Sequence, residues 1–285
     1  MPRMALKAYL DRLEQVYDRR FLDSDPVSLV HRYAEGEDRE IAGLVASSLA
    51  YGNVPAIQAS VGDALRRLGP TPARALDVLE GPELRRLFKG FKHRFTSGND
   101  LAALLWITAC MRRSRGSVGA FFHEGYRPDD STLRKAMISF VERGLAFDLR
   151  AFYRRGLQRG EGVRFLLPSP AEGSACKRLN LYLRWMVRPA DGVDLGVWAD
   201  IPPRKLLVPV DTHVARISAY IGLTRRKTPD WGMAEEITDS LRRLDPEDPV
   251  RYDFALSRLG ILDACPRRRN PVKCAECPLE PVCLL

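Results

Sequence analysis

The chain has no apolar run long enough to cross a membrane. Its longest, LAALLWITACM at 101–111, falls well short of the roughly 20 residues a spanning helix needs. The opening stretch, MPRMALKAYLDRLEQVYDRR, mixes both charges on an amphipathic pattern and lacks the apolar centre of a secretory signal. No segment alternates apolar and polar residues over the length of a strand, no unit repeats, and no tract is compositionally simple. These absences argue against a helical membrane protein, a solenoid and a sheet protein. The expectation is a cytoplasmic chain. Acidic residues are also in deficit, 36 against 45 Lys and Arg, so the formal net charge is +9. That balance suits a polyanionic partner or, equally, a plain basic surface.

What is present is helical. Leu6, Tyr9, Leu10, Leu13, Val16 and Tyr17 make one apolar stripe, and Ile41, Leu44, Val45 and Leu49 another, stopped by Gly52. A third stripe, Ile57 to Leu68, is stopped by Gly69. Further helices are expected near 100–113, 131–145, 174–187, 230–243 and 249–260. The pairs Asp25-Pro26, Thr71-Pro72, Thr228-Pro229 and Asp248-Pro249 each join a cap residue to a proline suited to the first helical position. The fold class expected is all-α. The longest irregular stretch, 188–210, has a length that is often functional.

Four of the six cysteines fall in the last 21 residues, spaced C-x8-C-x2-C-x5-C as Cys265, Cys274, Cys277 and Cys283. Four thiolates in so short a loop suit a zinc ion, a four-iron cluster or disulfides. A reducing compartment disfavours disulfides. The single Cys-x2-Cys favours iron–sulfur, with zinc the rival. Arg267, Arg268, Arg269 and Lys273 lie between the first two cysteines. A metal-pinned loop of four cations is suited to phosphate contacts, and the plain alternative is a solubilising loop.

Residues 173–188, GSACKRLNLYLRWMVR, place Lys177, Asn180, Arg184 and Arg188 on one polar seam of an otherwise apolar helix. Such a seam is expected to face a cleft or a partner. Lys177 falls in the first turn, where the helix dipole works against an ammonium charge, and a lysine that gives up its proton is an amine nucleophile. The plain alternative is a lysine with its head in water. In LVPVDTHVARISAYIG (207–222), Asp211 stands where an apolar run meets a helix. It reads both as an N-cap and as a carboxylate on a cleft wall.

The succession KRLNLYLRWMVR, LVPVDTHVARISAYIGL, YDFALSRLGILDAC and the cysteine loop resembles the helix-hairpin-helix DNA glycosylase superfamily that includes endonuclease III. Asp211, Thr212, His213, Val214 and Arg216 match its V-D-T-H-V-x-R context. The cysteine loop matches endonuclease III in order and in its last two spacings, with a longer first gap. The interval from Lys177 to Asp211 is closer to that of the archaeal 8-oxoguanine glycosylases, which also share the K-x-L-N start. The chain looks like a bacterial branch of this superfamily. The match covers roughly 174–285, and upstream it rests on helix pattern. The hairpin departs from the family's form and reads LPSPAEGSACK (167–177).

The resemblance implies two helical subdomains flanking a cleft. One is a helical barrel over 28–175. The other comprises 1–27 plus 176–285 and carries Lys177, Asp211 and the metal loop (262–285). It implies a bifunctional base-excision repair enzyme, a DNA glycosylase and AP lyase, with Lys177 as Schiff-base nucleophile and Asp211 as its carboxylate. Oxidised purine such as 8-oxoguanine is the leading substrate. It further implies a [4Fe-4S] cluster on the four cysteines and double-stranded, damaged DNA as partner of a monomer, bound by Arg184, Arg267, Arg268, Arg269 and Lys273. Asp253 would recognise the base. Tyr51 would stack in the gap left by the everted nucleotide and Asn53 would bond the orphan base, though a helix C-cap followed by an N-cap accounts for that turn equally. The alternatives are a monofunctional glycosylase using water, and a non-catalytic DNA- or RNA-binding protein on the same scaffold.

Overall fold

The structure, a computed structural model, describes residues 3–158 and 162–285. It is predominantly helical. In chain order the helices are α1 (Arg3–Val16), α2 (Val27–Val30), α3 (Gly36–Ser48), α4 (Val54–Leu68), α5 (Pro72–Val78) and α6 (Gly81–Leu87). Then come α7 (Gly98–Arg115), α8 (Val118–His123), α9 (Arg134–Leu145), α10 (Gly162–Leu166) and α11 (Lys177–Val187). Last are α12 (Thr212–Tyr220), α13 (Trp231–Arg242), α14 (Asp253–Ile261) and α15 (Pro271–Ala275). The all-helical expectation misses one small feature, an antiparallel hairpin of β1 (Lys92–His93) and β2 (Thr96–Ser97). Strands of two residues are too short to show a period of two.

Two helices organise the core. α7 opens on a capping box between Ser97 and Asp100, and its apolar residues run on all sides, from Leu101 to Met111. A helix apolar all round has to be enclosed, and α5, α6, α8, α9 and α10 pack about it. α3 is buried almost throughout and meets α2, α4, α5, α8 and α11. Gly43 lets α11 approach, because a Cβ there would lie 2.8 Å from the Met186 methyl. Elsewhere α1 packs on α14, and α14 on α12.

Two of the cap–proline pairs do not start helices. α13 is capped by Asp230 rather than Thr228, and α14 begins at Asp253 after turns that follow Pro249. The 188–210 stretch is irregular but largely buried. Trp198 donates its indole N–H to Glu40 at 2.7 Å, and Lys205 is tied to the carbonyls of Arg127 and Pro128. It is a packed strap that delivers Pro209, Val210 and Asp211. Among the described residues no helix is long and apolar enough to cross a membrane.

Candidate active site

Four segments meet around a cleft of about 930 Å³. The α3–α4 turn brings Ala50 to Asn53, the start of α11 brings Lys177 and Arg178, the start of α12 brings Asp211 to His213, and α14 brings Asp253, Ser257 and Arg258. Lys177 and Asp211, distant in sequence, thus line one opening.

The turn before Lys177 differs from a simple cap. Pro170–Glu172 forms a 3-10 turn, Gly173 takes φ +76°, and Cys176 itself is left-handed at φ +45°. A non-glycine residue in that region is uncommon and strained. Here it turns the chain so that α11 begins with Lys177 at the cleft. The lysine ammonium donates to the Ala50 carbonyl at 3.1 Å. The hairpin's own amides are largely used internally: Ala171 and Cys176 donate to Ser169 and Ser174 hydroxyls, and Glu172 and Gly173 to backbone carbonyls. Cys176 is buried packing, its thiol pushed up to about 12 by burial.

Asp211 is both things the sequence allowed. Its Oδ1 accepts the His213 and Val214 amides, each at 2.8 Å, which caps α12. Both bonds fall on one oxygen, so Oδ2 is left for the cleft. His213 is packed against α14, and its buried Nδ1 has no hydrogen-bond partner among the described residues.

Asp253 lies on the cleft's deep side, 2% exposed, not on a helix surface. Its Oδ2 accepts from Arg184 Nη1 at 2.5 Å. Burial pushes its carboxyl up to about 6, with Arg184 opposing that rise and Asp211 adding to it. Arg184 is not a DNA contact as expected. Its side chain is 1% exposed and is shared between Asp253 and Asp194, whose oxygens lie 3.1 and 3.2 Å from its Nε. Arg188 joins the same network through Asp191, Asp194 and Asp248. Asn180 is spent on the Ala175 carbonyl at 3.0 Å. Half of the polar seam of α11, Arg184 and Arg188, therefore faces the protein's own carboxylates, which come from the strap, from the turn before α14 and from α14 itself. Their positions along the sequence gave no sign of this.

An aromatic wall at the mouth escaped the sequence reading. Tyr51 is not free to stack from both sides. Its hydroxyl is 3.0 Å from the His93 carbonyl and 2.6 Å from Thr96 Oγ1, and its ring stacks on Phe95 at 5.0 Å. Phe165 meets Phe95 edge-on at 4.7 Å, and the Arg178 guanidinium sits 3.7 Å over Phe165. Burial pushes Arg178 down to about 10. Phe95, at the hairpin tip, is 63% exposed. Its only sequence signal was an aromatic between polar residues. Asn53 caps α4 by accepting the Ala56 amide at 2.9 Å, which satisfies the cap explanation.

All six cysteines are free thiols. Cys265, Cys274, Cys277 and Cys283 ring one small void of about 30 Å³, so the terminal loop brings them together. Among the described residues no three histidine, cysteine or acidic side chains are grouped to hold a single metal ion. α12 docks this loop: Arg216 donates to the Cys265 carbonyl at 2.9 Å, Tyr220 to that of Arg267 at 3.1 Å, and Leu284 to that of Tyr220 at 2.7 Å. Of the four cations, Arg269 pairs with Glu280 and Lys273 with Asp263. Arg267 and Arg268 are exposed, with neither side chain in an ion pair among the described residues.

No curated protein and no solved structure matches the chain. A family model described as a protein of unknown function, DUF2400, matches residues 25–262, a span that holds Lys177, Asp211 and Asp253 and ends before the four cysteines. The chain belongs to the DUF2400 family.

Proposed function

We propose that the protein is a DNA base-excision glycosylase of the helix-hairpin-helix type, bifunctional, with an oxidised purine such as 8-oxoguanine as its leading substrate. The observation that carries the reading is the placement of Lys177 and Asp211 on one cleft of about 930 Å³, room enough for an everted nucleoside. On this reading 28–175 and the remainder act as two helical halves about that cleft.

Chemistry on a base requires the nucleotide to leave the stack. A protein of net charge +9 grips the duplex backbone, and the aromatic wall supports the bases beside the gap. Lys177, as a free amine, attacks C1′. The N-glycosidic bond breaks and its electron pair leaves with the base. Asp211 accepts the amine proton and stabilises positive charge at the sugar. Ring opening gives a Schiff base between Lys177 and C1′. Loss of a C2′ proton then expels the 3′ phosphate by β-elimination. The four cysteines would hold a [4Fe-4S] cluster, which when bound would pin the terminal loop and its Arg267 and Arg268 against the duplex. Their convergence on one void supports this.

Borohydride trapping on a lesion panel tests the scheme. The native protein should give a covalent adduct with an 8-oxoguanine duplex, and Lys177→Ala should abolish it. No adduct with any lesion removes the lyase claim. One observation favours a water-using, monofunctional variant: the Lys177 ammonium is held by the Ala50 carbonyl. Base release that survives Lys177→Ala but not Asp211→Asn selects that variant.

A further inference from the structure

Arg178 brings to the cleft a charge that the fold leaves unmatched. It follows Lys177 at the start of α11 and lines the cleft beside Tyr51 and Phe165. Its guanidinium stands 3.7 Å over the Phe165 ring and 5.3 Å over that of Tyr51. Nη1 donates to the Ser48 carbonyl at 3.3 Å and Nη2 to the Phe165 carbonyl. No described carboxylate pairs with it, whereas the buried Arg112, Arg184, Arg188 and Arg258 each hold at least one. The carboxylates of the cleft are engaged elsewhere: Asp25 with Arg258 at 3.0 Å, Asp253 with Arg184, and Asp211 with the amides it caps. A cation set among rings and carbonyls loses hydration without gaining an opposite charge. The Nε of Arg178 has no partner among the described residues, yet it is not sealed from solvent as Nη2 of Arg184 and Nε of Arg258 are. The turn before it offers no other anion donor set, because the amides of Ala171, Glu172, Gly173 and Cys176 are spent within the turn.

Resting on the reading of the cleft as a nucleoside site, we propose that Arg178 is a phosphate-binding residue, whose guanidinium takes a non-bridging oxygen of one phosphodiester flanking the everted nucleotide. A phosphodiester is a monoanion with the planar-fork match that a guanidinium favours, and it supplies the opposite charge that no described carboxylate gives. The side chain is already held by Phe165 and two carbonyls, so little rotamer freedom is lost on binding. The left-handed Cys176 fixes where α11 begins, and with it the places of Lys177 and Arg178 together. The strand position that seats C1′ at the Lys177 amine therefore decides which phosphate reaches Arg178. One linkage is gripped here, not the backbone at large.

Equilibrium binding to duplexes that carry a non-hydrolysable 2′-fluoro 8-oxoguanosine tests this without chemistry. Each phosphate near the lesion is replaced in turn by a neutral methylphosphonate. The native protein should lose affinity by about ten- to a hundredfold at one linkage beside the lesion, the range of one hydrogen bond to a charged group. Arg178→Met should bind the unmodified duplex about as weakly as the native protein binds that methylphosphonate, and should no longer register the replacement there. Arg178→Lys, the variant expected to fold if Met does not, should recover part of the sensitivity, because it keeps the charge and loses the fork. A purely structural arginine would instead lower affinity for every duplex alike and leave the sensitive linkage in place. That result in a folded Arg178→Met overturns the proposal, as does a native scan in which neither flanking linkage stands out. If borohydride adducts form while the scan is flat, only the role of Arg178 falls. If no lesion duplex is held better than an undamaged one and no adduct forms, that role and the nucleoside reading fall together.

Discussion

Gly260 sits on α14 where that helix crosses the first turn of α12, and replacing it with alanine probes how finely the cleft is set. A Cβ at this position would lie 2.5 Å from the His213 Cβ and 2.9 Å from its Cγ and Nδ1. These are not the far end of a flexible side chain. The two helices must part by roughly 1 Å to restore ordinary contact. His213 is two residues from Asp211, and α14 carries Asp253, so the parting falls across the proposed reacting groups. Overpacking of this kind costs about 1–3 kcal/mol. Alanine in a helix returns about 0.8–1 kcal/mol relative to glycine, so the net loss of stability is about 0–2 kcal/mol. A displacement of about 1 Å at a reacting centre costs on the order of a hundredfold in rate. Gly260→Ala should therefore slow adduct formation far more than it lowers the melting temperature. Gly62→Ala on α4, where a Cβ meets nothing within 4 Å, is the control and should be neutral or slightly stabilising at native rate. A Gly260→Ala protein that forms adduct at the native rate refutes the placement of Asp211 and Asp253 on a shared, geometry-critical site.

Phe95→Ala should leave the melting temperature nearly unchanged and weaken duplex binding by about 1–3 kcal/mol, the value of one stacked base; unaltered affinity takes the aromatic wall out of the interface. Burial pushes the carboxyl of Asp253, beside Arg184 and Lys177 of α11 and Asp211 at the cap of α12, up to about 6, above the usual carboxylate value. This group's contribution to folding should fall as pH rises from about 4 to about 6, because the folded state binds that proton more tightly; a stability difference between the native protein and Asp253→Asn that stays flat over that interval would contradict this. Arg268→Ala should lower affinity on all sequences and reduce the salt slope by about one, with Arg269→Ala showing a smaller change because Arg269 is paired with Glu280. Cys277→Ser should remove acid-labile sulfide and visible absorption from the purified protein; stoichiometric zinc and no sulfide in the native protein would replace the cluster with a structural ion.

Much of the helical pattern was open to direct reading because it rests on local periodicity. The stripe from Leu6 to Tyr17, the largely apolar 101–111 and the Ile57–Leu68 face correspond to α1, α7 and α4. Helix starts were less legible where two cap residues compete: Asp230 takes α13 from Thr228, since its side chain reaches the Met233 amide at 2.8 Å. Arg184 was misread for a different reason. Its polar seam on α11 is visible in the sequence, but a seam shows only that something polar lies opposite. Whether that is phosphate or the carboxylates of Asp194 and Asp253 depends on where the strap and α14 run.

Taken alone, the order of residues determined that the chain is helical and basic, that four thiols crowd its end, and that a lysine and an aspartate each begin a helix after a break. These are short-range properties, set by side-chain spacing and capping. Only the tertiary structure decided that Lys177, Asp211 and Asp253 share one cleft, that Arg184 is sealed behind it, and that Phe95 rather than Tyr51 is the exposed ring. Each of those depends on contacts between segments far apart in the chain, where burial and pairing turn on packing that no local pattern encodes.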